Sequence, residues 1–235
     1  MRQFFHAVLR TTVSALALSL GAVASFPAAA QSAAPNSAIV SPWKEAFDAF
    51  DAADKASPPR EGGVVFVGSS SIRLWDGLET QFERLPVIVK RGFGGSHLSD
   101  CTKNLQRLVL AYKPRAVVVY AGENDLADGA SPSDVLASFE KFAEGVRKAQ
   151  PATHIAYLSI KPSPLRESLL PRIREANGLI RAYVATLDNA QFIDVHAKMV
   201  DAQGRARGEY YREDRLHLNA DGYALWRREI AARLP

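Results

Sequence analysis

The chain has 235 residues, 47% of them apolar and 23% charged, which suits a single domain with a full apolar core. The formal charge of +4 includes no basic block or aromatic-interleaved stripe, so nucleic acid is a poor partner. Cys101 is the one cysteine, which excludes an internal disulfide and a cysteine-pair metal site.

The first thirty residues stand apart. Arg2 and Arg10 precede an Ala-, Leu- and Val-rich run from Thr11 to Phe26, and Ala28-Ala29-Ala30 offers a small-residue cleavage site before Gln31. This is the pattern of a secretory signal over 1–30, too short and wrongly flanked for a stable membrane span. An exported protein, periplasmic or secreted, is expected. Loss of Arg2 and Arg10 lowers the formal charge from +4 to +2. Residues 31–42 are Ala/Ser/Pro-rich and read as a flexible leader, leaving 43–235 as one domain.

Trp43, Ala46, Phe47 and Phe50 have helical spacing within 42–53, and 56–63 is a Pro/Gly loop. Strands are then expected over 64–67, 87–89, 116–121, 155–160 and 192–195. Helices are expected over 72–84, 98–112, 133–150, 173–187 and 220–234, with Ser131-Pro132-Ser133 as a start signal for the third of these. Cys101 reads as a small packed residue of the helix that begins at Leu98. Strands separated by such helices need crossover connections and a parallel sheet covered on both faces.

In an open parallel sheet the functional residues lie beyond the carboxyl ends of the strands. Those positions carry Gly68-Ser69-Ser70-Ser71, then Gly92-Phe93-Gly94-Gly95-Ser96-His97, then Gly122-Glu123-Asn124-Asp125. The loop after the fifth strand ends in Asp214-Arg215-Leu216-His217. A serine at the first junction could cap the next helix or act as a nucleophile. A nucleophile needs a base, an acid that orients the base, and donors for the oxyanion. Asp214 and His217, one turn apart, could supply the base and its orienter. Gly95, Asn124 and the N–H of Ser70 could supply donors.

These four blocks, in this order, resemble those of the SGNH (GDSL-type) hydrolase superfamily over almost the whole chain beyond the leader. The resemblance implies a three-layer α/β/α sandwich around a five-stranded parallel sheet, similar to flavodoxin in outline. It implies a serine esterase with Ser70 as nucleophile, His217 as base and Asp214 as the acid. Ser70, Gly95 and Asn124 would form the oxyanion hole. In the first block Ser69 stands where the family usually has aspartate and Ser71 where it has leucine. Lys90 stands where asparagine often opens the second block.

Ser69 and Ser71 are expected to cap or hydrogen-bond, with Ser69 and His97 as candidate substrate-lining residues. His196 with Asp194 is a rival pair, read as the end of the fifth strand and the start of a loop. His154 lies at the wrong end of the sheet. The chain has no metal motif, dinucleotide loop or phosphate loop, so no cofactor is expected. The expected substrate is a small acyl ester such as an acetylated saccharide. A lysophospholipase or thioesterase, an acyltransferase, and a non-catalytic saccharide-binding member of the same fold are the alternatives. Oligomeric state is not legible.

Overall fold

The computed structural model describes residues 41–234 except 83, 86 and 87. The secretory signal and the leader up to residue 40 lie outside the described residues. Five parallel strands form one sheet: β1 (Val64–Gly68), β2 (Ile88–Gly92), β3 (Ala116–Tyr120), β4 (His154–Leu158) and β5 (Ala190–Ile193). Their spatial order is β2-β1-β3-β4-β5, the flavodoxin-like doubly wound order. Chain direction across the sheet reverses between β1 and β3, which is where such sheets open a crevice.

Successive residues of a strand face opposite sides, and the core divides accordingly. Val65 and Val67 of β1, with Val117 and Val119 of β3, pack under α1 (Lys44–Ala56), α3 (Leu98–Lys103), α4 (Leu105–Leu108), α6 (Pro132–Ala149) and α7 (Leu170–Val184). Val64 and Phe66, with Val118 and Tyr120, pack under α2 (Ser70–Arg73) and α8 (Ala220–Ala231). The remaining short helix is α5 (Glu123–Ala127). Sheet and flanking helices make the α/β/α sandwich that the sequence implied. No described helix is long and apolar enough to cross a membrane.

Two expected helices are not continuous. The one over 72–84 stops at Arg73, and a 3-10 turn over Leu78–Thr80 follows Gly77, whose φ is +65°. Trp75 lies in that break, fully buried against Phe66 and Trp226 with ring centroids 6.0 and 5.9 Å away. The helix over 98–112 breaks at Asn104, whose side-chain amide donates to the Asp100 carbonyl, and again at Val109. Such a local side-chain bond competes with the helical ladder. Cys101 is buried on α3 as expected, and burial pushes its thiol far up in pKa.

Beyond the core, β1 ends on a tight contact. Gly68 has φ +150°, and a β-carbon there would sit 1.9 Å from the carbonyl oxygen of Tyr120 on β3. Only glycine lets the chain turn out of the sheet at this level. Gly68→Ala is expected to destabilise the fold by about 2–4 kcal/mol from overpacking and strain. Thermal unfolding should show Tm lowered by roughly 5–15 °C. An unchanged Tm would refute the close contact.

Candidate active site

Gly68 lies opposite Gly92 of β2 and Tyr120 of β3, so three neighbouring strands end at one level. The segments carrying Ser70, Gly95 and Asn124 all leave the sheet from this edge. Of the three adjacent serines, Ser70 makes the contact that matters: its Oγ is 3.0 Å from His217 Nε2. Ser69 is buried, and its N–H donates to the Tyr120 carbonyl. It occupies the N-cap position of α2, yet its side chain makes no capping bond, contrary to the expected cap. Ser71 is also buried, and its carbonyl accepts from the Tyr223 hydroxyl at 2.9 Å. As the first residue of α2, Ser70 has a backbone N–H with no partner inside the helix.

Asp214 and His217 are arranged by their own loop. Asp214 Oδ1 accepts the backbone N–H groups of Leu216 and His217, each at 2.9 Å, while Oδ2 is 2.7 Å from His217 Nδ1. Arg215 between them takes a left-handed conformation, φ +56°. Partial burial works against the carboxylate, but the His217 backbone N–H, its ring and the Leu216 N–H outweigh it and hold the Asp214 pKa at about 2. A carboxylate on Nδ1 fixes the imidazole tautomer, leaving Nε2 to accept a proton from Ser70. The site is open: the Asp214 side chain is 47% exposed.

The other two sequence-derived donors lie on the neighbouring loops. Gly95 has φ +74°, and a β-carbon there would meet nothing within 4 Å. The constraint at Gly95 is therefore conformational, with its N–H left uncovered by any side chain of its own. Asn124 Nδ2 donates to the Ser96 carbonyl at 3.1 Å, which joins the second and third blocks. That uses one amide hydrogen of two. The rest of the third block divides further tasks: Asp125 accepts the Leu98 N–H at 3.1 Å and holds the start of α3, and Glu123 turns inward.

Two groups at the site were not singled out in the sequence. Trp43, just before α1, donates from its indole Nε1 to the Gly94 carbonyl at 2.8 Å and packs edge-on against Phe93, 5.2 Å between centroids. The glycine loop is thus braced by a helix that precedes the first strand. The second group follows β4. Lys161, 1% exposed, places Nζ 2.5 Å from Glu123 Oε2, and Ser163 Oγ donates to the other carboxylate oxygen. The Tyr120 hydroxyl donates to Oε2 at 2.9 Å, and Arg166 Nη1 lies 3.6 Å from Oε1. Burial opposes the Glu123 charge, yet Lys161 and Arg166 hold its pKa below the ordinary carboxylate value. Burial also pulls the Lys161 pKa down, and the Glu123 charge opposes that shift. Their signal was position: Lys161-Pro162-Ser163 follows a strand at its carboxyl end.

The remaining candidates take no part in the Ser70–His217–Asp214 chain. His97 caps α3 and pairs through Nε2 with Asp128 at 2.7 Å, and no bond joins it to Ser70 or His217. His196 is buried, with its pKa lowered by that burial, while Asp194 pairs with Arg181 and caps Ala197. His154 bonds Asn189 at the amino end of β4. A cavity of about 770 Å³ lined by Leu85, Arg115, Arg227 and Leu234 sits at the opposite end of the sheet, since Leu85 and Arg115 precede β2 and β3. It includes none of the residues above.

Comparison with known proteins bears on the fold and the family. No curated protein matches the chain in sequence. Among solved structures, a Streptococcus pneumonia protein provisionally named a platelet activating factor aligns with TM-score 0.71 and 22% identity, over 80% of this chain and 91% of that one. A GDSL-like lipase from Bacteroides thetaiotaomicron aligns with TM-score 0.67 and 21% identity, over 79% and 95%. An acetylxylan esterase from Geobacillus stearothermophilus, solved as a catalytic mutant, aligns with TM-score 0.59 and 14% identity, over 74% and 94%. At these identities the likeness is one of fold. The GDSL-like lipase/acylhydrolase family model matches residues 64–225, from β1 into α8 and through all four blocks, and the chain belongs to that family.

Proposed function

We propose that the protein is an exported serine esterase that works through an acyl-enzyme without a cofactor, on small acyl esters such as acetylated saccharides. The observation that carries this reading is the hydrogen-bond chain from Ser70 Oγ through His217 to Asp214, at 3.0 and 2.7 Å. His217 Nε2 takes the hydroxyl proton as Ser70 Oγ bonds to the ester carbonyl carbon, and the carbonyl electron pair moves onto oxygen. The Ser70 and Gly95 N–H groups and the Asn124 amide stabilise that oxyanion, each donor being worth about 10²–10³ in rate. The imidazolium then protonates the departing alkoxide as the C–O bond breaks. Water, deprotonated by His217, attacks the acyl-enzyme and releases the acid, and the proton returns to Ser70. Asp214 keeps the tautomer and stabilises the imidazolium throughout.

The openness of the site supports a short acyl group on a large or polymeric alcohol. A catalytic acid half exposed to solvent suits an ester carried on a broad sugar chain. The acetylxylan esterase among the structural neighbours supports the same choice. The signal-like first thirty residues support action outside the cytoplasm.

Three measurements test this reading, the first of them made on wild type and variant across a panel of esters. Ser70→Ala should lower kcat on a short-chain aryl ester by about 10⁴–10⁶-fold with an unchanged Tm, and wild-type-like turnover would refute the mechanism. Across a panel of esters, acetyl esters of sugars should be preferred over long-chain acyl esters. The second test is pH. The depressed Asp214 carboxylate stays ionised until the pH falls to about 2, so it does not titrate between pH 4 and 8. Asp214 should therefore add no step to kcat/KM in that range, and a two-proton fall towards acid would refute the assignment. Third, mass spectrometry of protein recovered from an exporting bacterial host should find a mature amino terminus at Gln31. An intact terminus on active cytoplasmic protein would refute export.

A further inference from the structure

The geometry points to Arg166 as a positioning residue for Asn124, held by the Glu123–Lys161–Ser163 cluster so that the amide always presents N–H to the oxyanion. This rests on the esterase reading above. A side-chain amide has two nearly isosteric orientations, and an oxyanion donor is useful in only one of them, because the flipped amide offers oxygen to a negative charge. Asn124 is fixed from both ends. Its Nδ2 meets the Ser96 carbonyl, which can only accept, and its Oδ1 meets Arg166 Nη1 at 3.1 Å, which can only donate. Flipping would set two oxygens together on one side and two sets of N–H groups on the other.

Arg166 is itself constrained. Its guanidinium lies 3.6 Å from Glu123 Oε1, and Glu123 is the residue just before Asn124. Glu123 is buried and already bonded by Lys161, Ser163 and Tyr120, so its position is set by the core and not by solvent. Arg166 sits where the 3-10 segment 164–169 departs from helical geometry, at φ −116° and ψ 33°. The neighbouring Leu165 N–H donates to the Arg215 carbonyl at 3.0 Å, inside the loop that carries Asp214 and His217. One short segment after β4 therefore joins the oxyanion side of the site to its acid–base side. With two cations on one carboxylate, the cluster also leaves one positive charge beside the amide. A purely structural ion pair would require Lys161 and Glu123 only. The bond from Arg166 to the amide oxygen is the part that such a pair does not explain.

The test is a double-mutant cycle on a short-chain aryl ester, with Arg166→Met, Asn124→Ala and both together, beside Ser70→Ala as control. Arg166 is partly exposed on a surface segment, so its replacement spares the core. Arg166→Met should lower kcat about 10- to 100-fold with little change in KM, as expected for loss of a charged hydrogen bond that acts in the transition state. In the Asn124→Ala background the same substitution should cost almost nothing. Arg166→Lys, which keeps a donor, should recover part of the rate. Affinity for a boronic acid that forms a tetrahedral adduct on serine should fall in parallel with kcat. Equal losses in both backgrounds, a loss confined to KM, or no loss at all would overturn the assignment. An active Ser70→Ala variant would instead overturn the esterase reading. An inactive Ser70→Ala with no coupling between Arg166 and Asn124 would overturn the positioning role alone.

Discussion

The site depends on three neighbouring strands ending at one level. Gly68, Gly92 and Tyr120 are register partners across β2, β1 and β3, and the carbonyl of Tyr120 comes so close to Gly68 that no side chain fits between them. Parallel pairing makes this alignment useful. Every strand leaves the sheet in the same direction, so three separate segments of chain arrive at one edge. Ser70 follows Gly68 by two residues, Gly95 follows Gly92 by three, and Asn124 follows Tyr120 by four. A slip of one residue in either pairing would exchange the residues that pack under the two helical layers and move these loops apart.

The acid–base half of the site is built differently. Its geometry is local: the Asp214 carboxylate collects two backbone N–H groups and one ring nitrogen from residues no more than three away. The loop is pinned at both sides, by the Arg212 side chain on the Leu218 carbonyl and by the Tyr211–Leu218 bridge. The pair then meets the nucleophile through one hydrogen bond, between His217 Nε2 and Ser70 Oγ, 147 residues earlier in the chain. Short-range order sets the tautomer, and long-range packing of α8 against β1 and β3 brings the assembled pair to the nucleophile.

How much of this was legible follows from where each feature's cause lies. Strands such as Val64–Gly68 and Ala116–Tyr120 are continuous apolar runs with polar ends, so the alternation of strand and helix is plain in the sequence. The four blocks were equally legible, because a doubly wound sheet puts chemistry at one kind of position. The helix breaks at Gly77 and Asn104 were not, since apolar spacing continues through both and the breaks depend on a buried Trp75 and a side-chain bond. The cluster after β4 was missed for a related reason. Lys161-Pro162-Ser163-Pro164 reads as a polar turn, and Lys161 becomes a core residue only because Glu123, 38 residues away, meets it there. Its burial belongs to the pair and to neither residue alone.

The two halves of the site also agree in charge. In the proposed reaction, negative charge grows on the substrate oxygen near Gly95 and Asn124, while positive charge grows on the His217 ring. Beneath the first lies a buried cluster of two cations and one carboxylate, and against the second lies a carboxylate held ionised to about pH 2. Both were set by folding, so no solvent or side chain has to reorganise when the charges separate. A buried ion pair adds little to stability in general, because desolvation consumes most of its attraction. In the proposed reaction the arrangement has a use that does not depend on net stability: its second cation, Arg166, is bonded to the amide that faces the oxyanion.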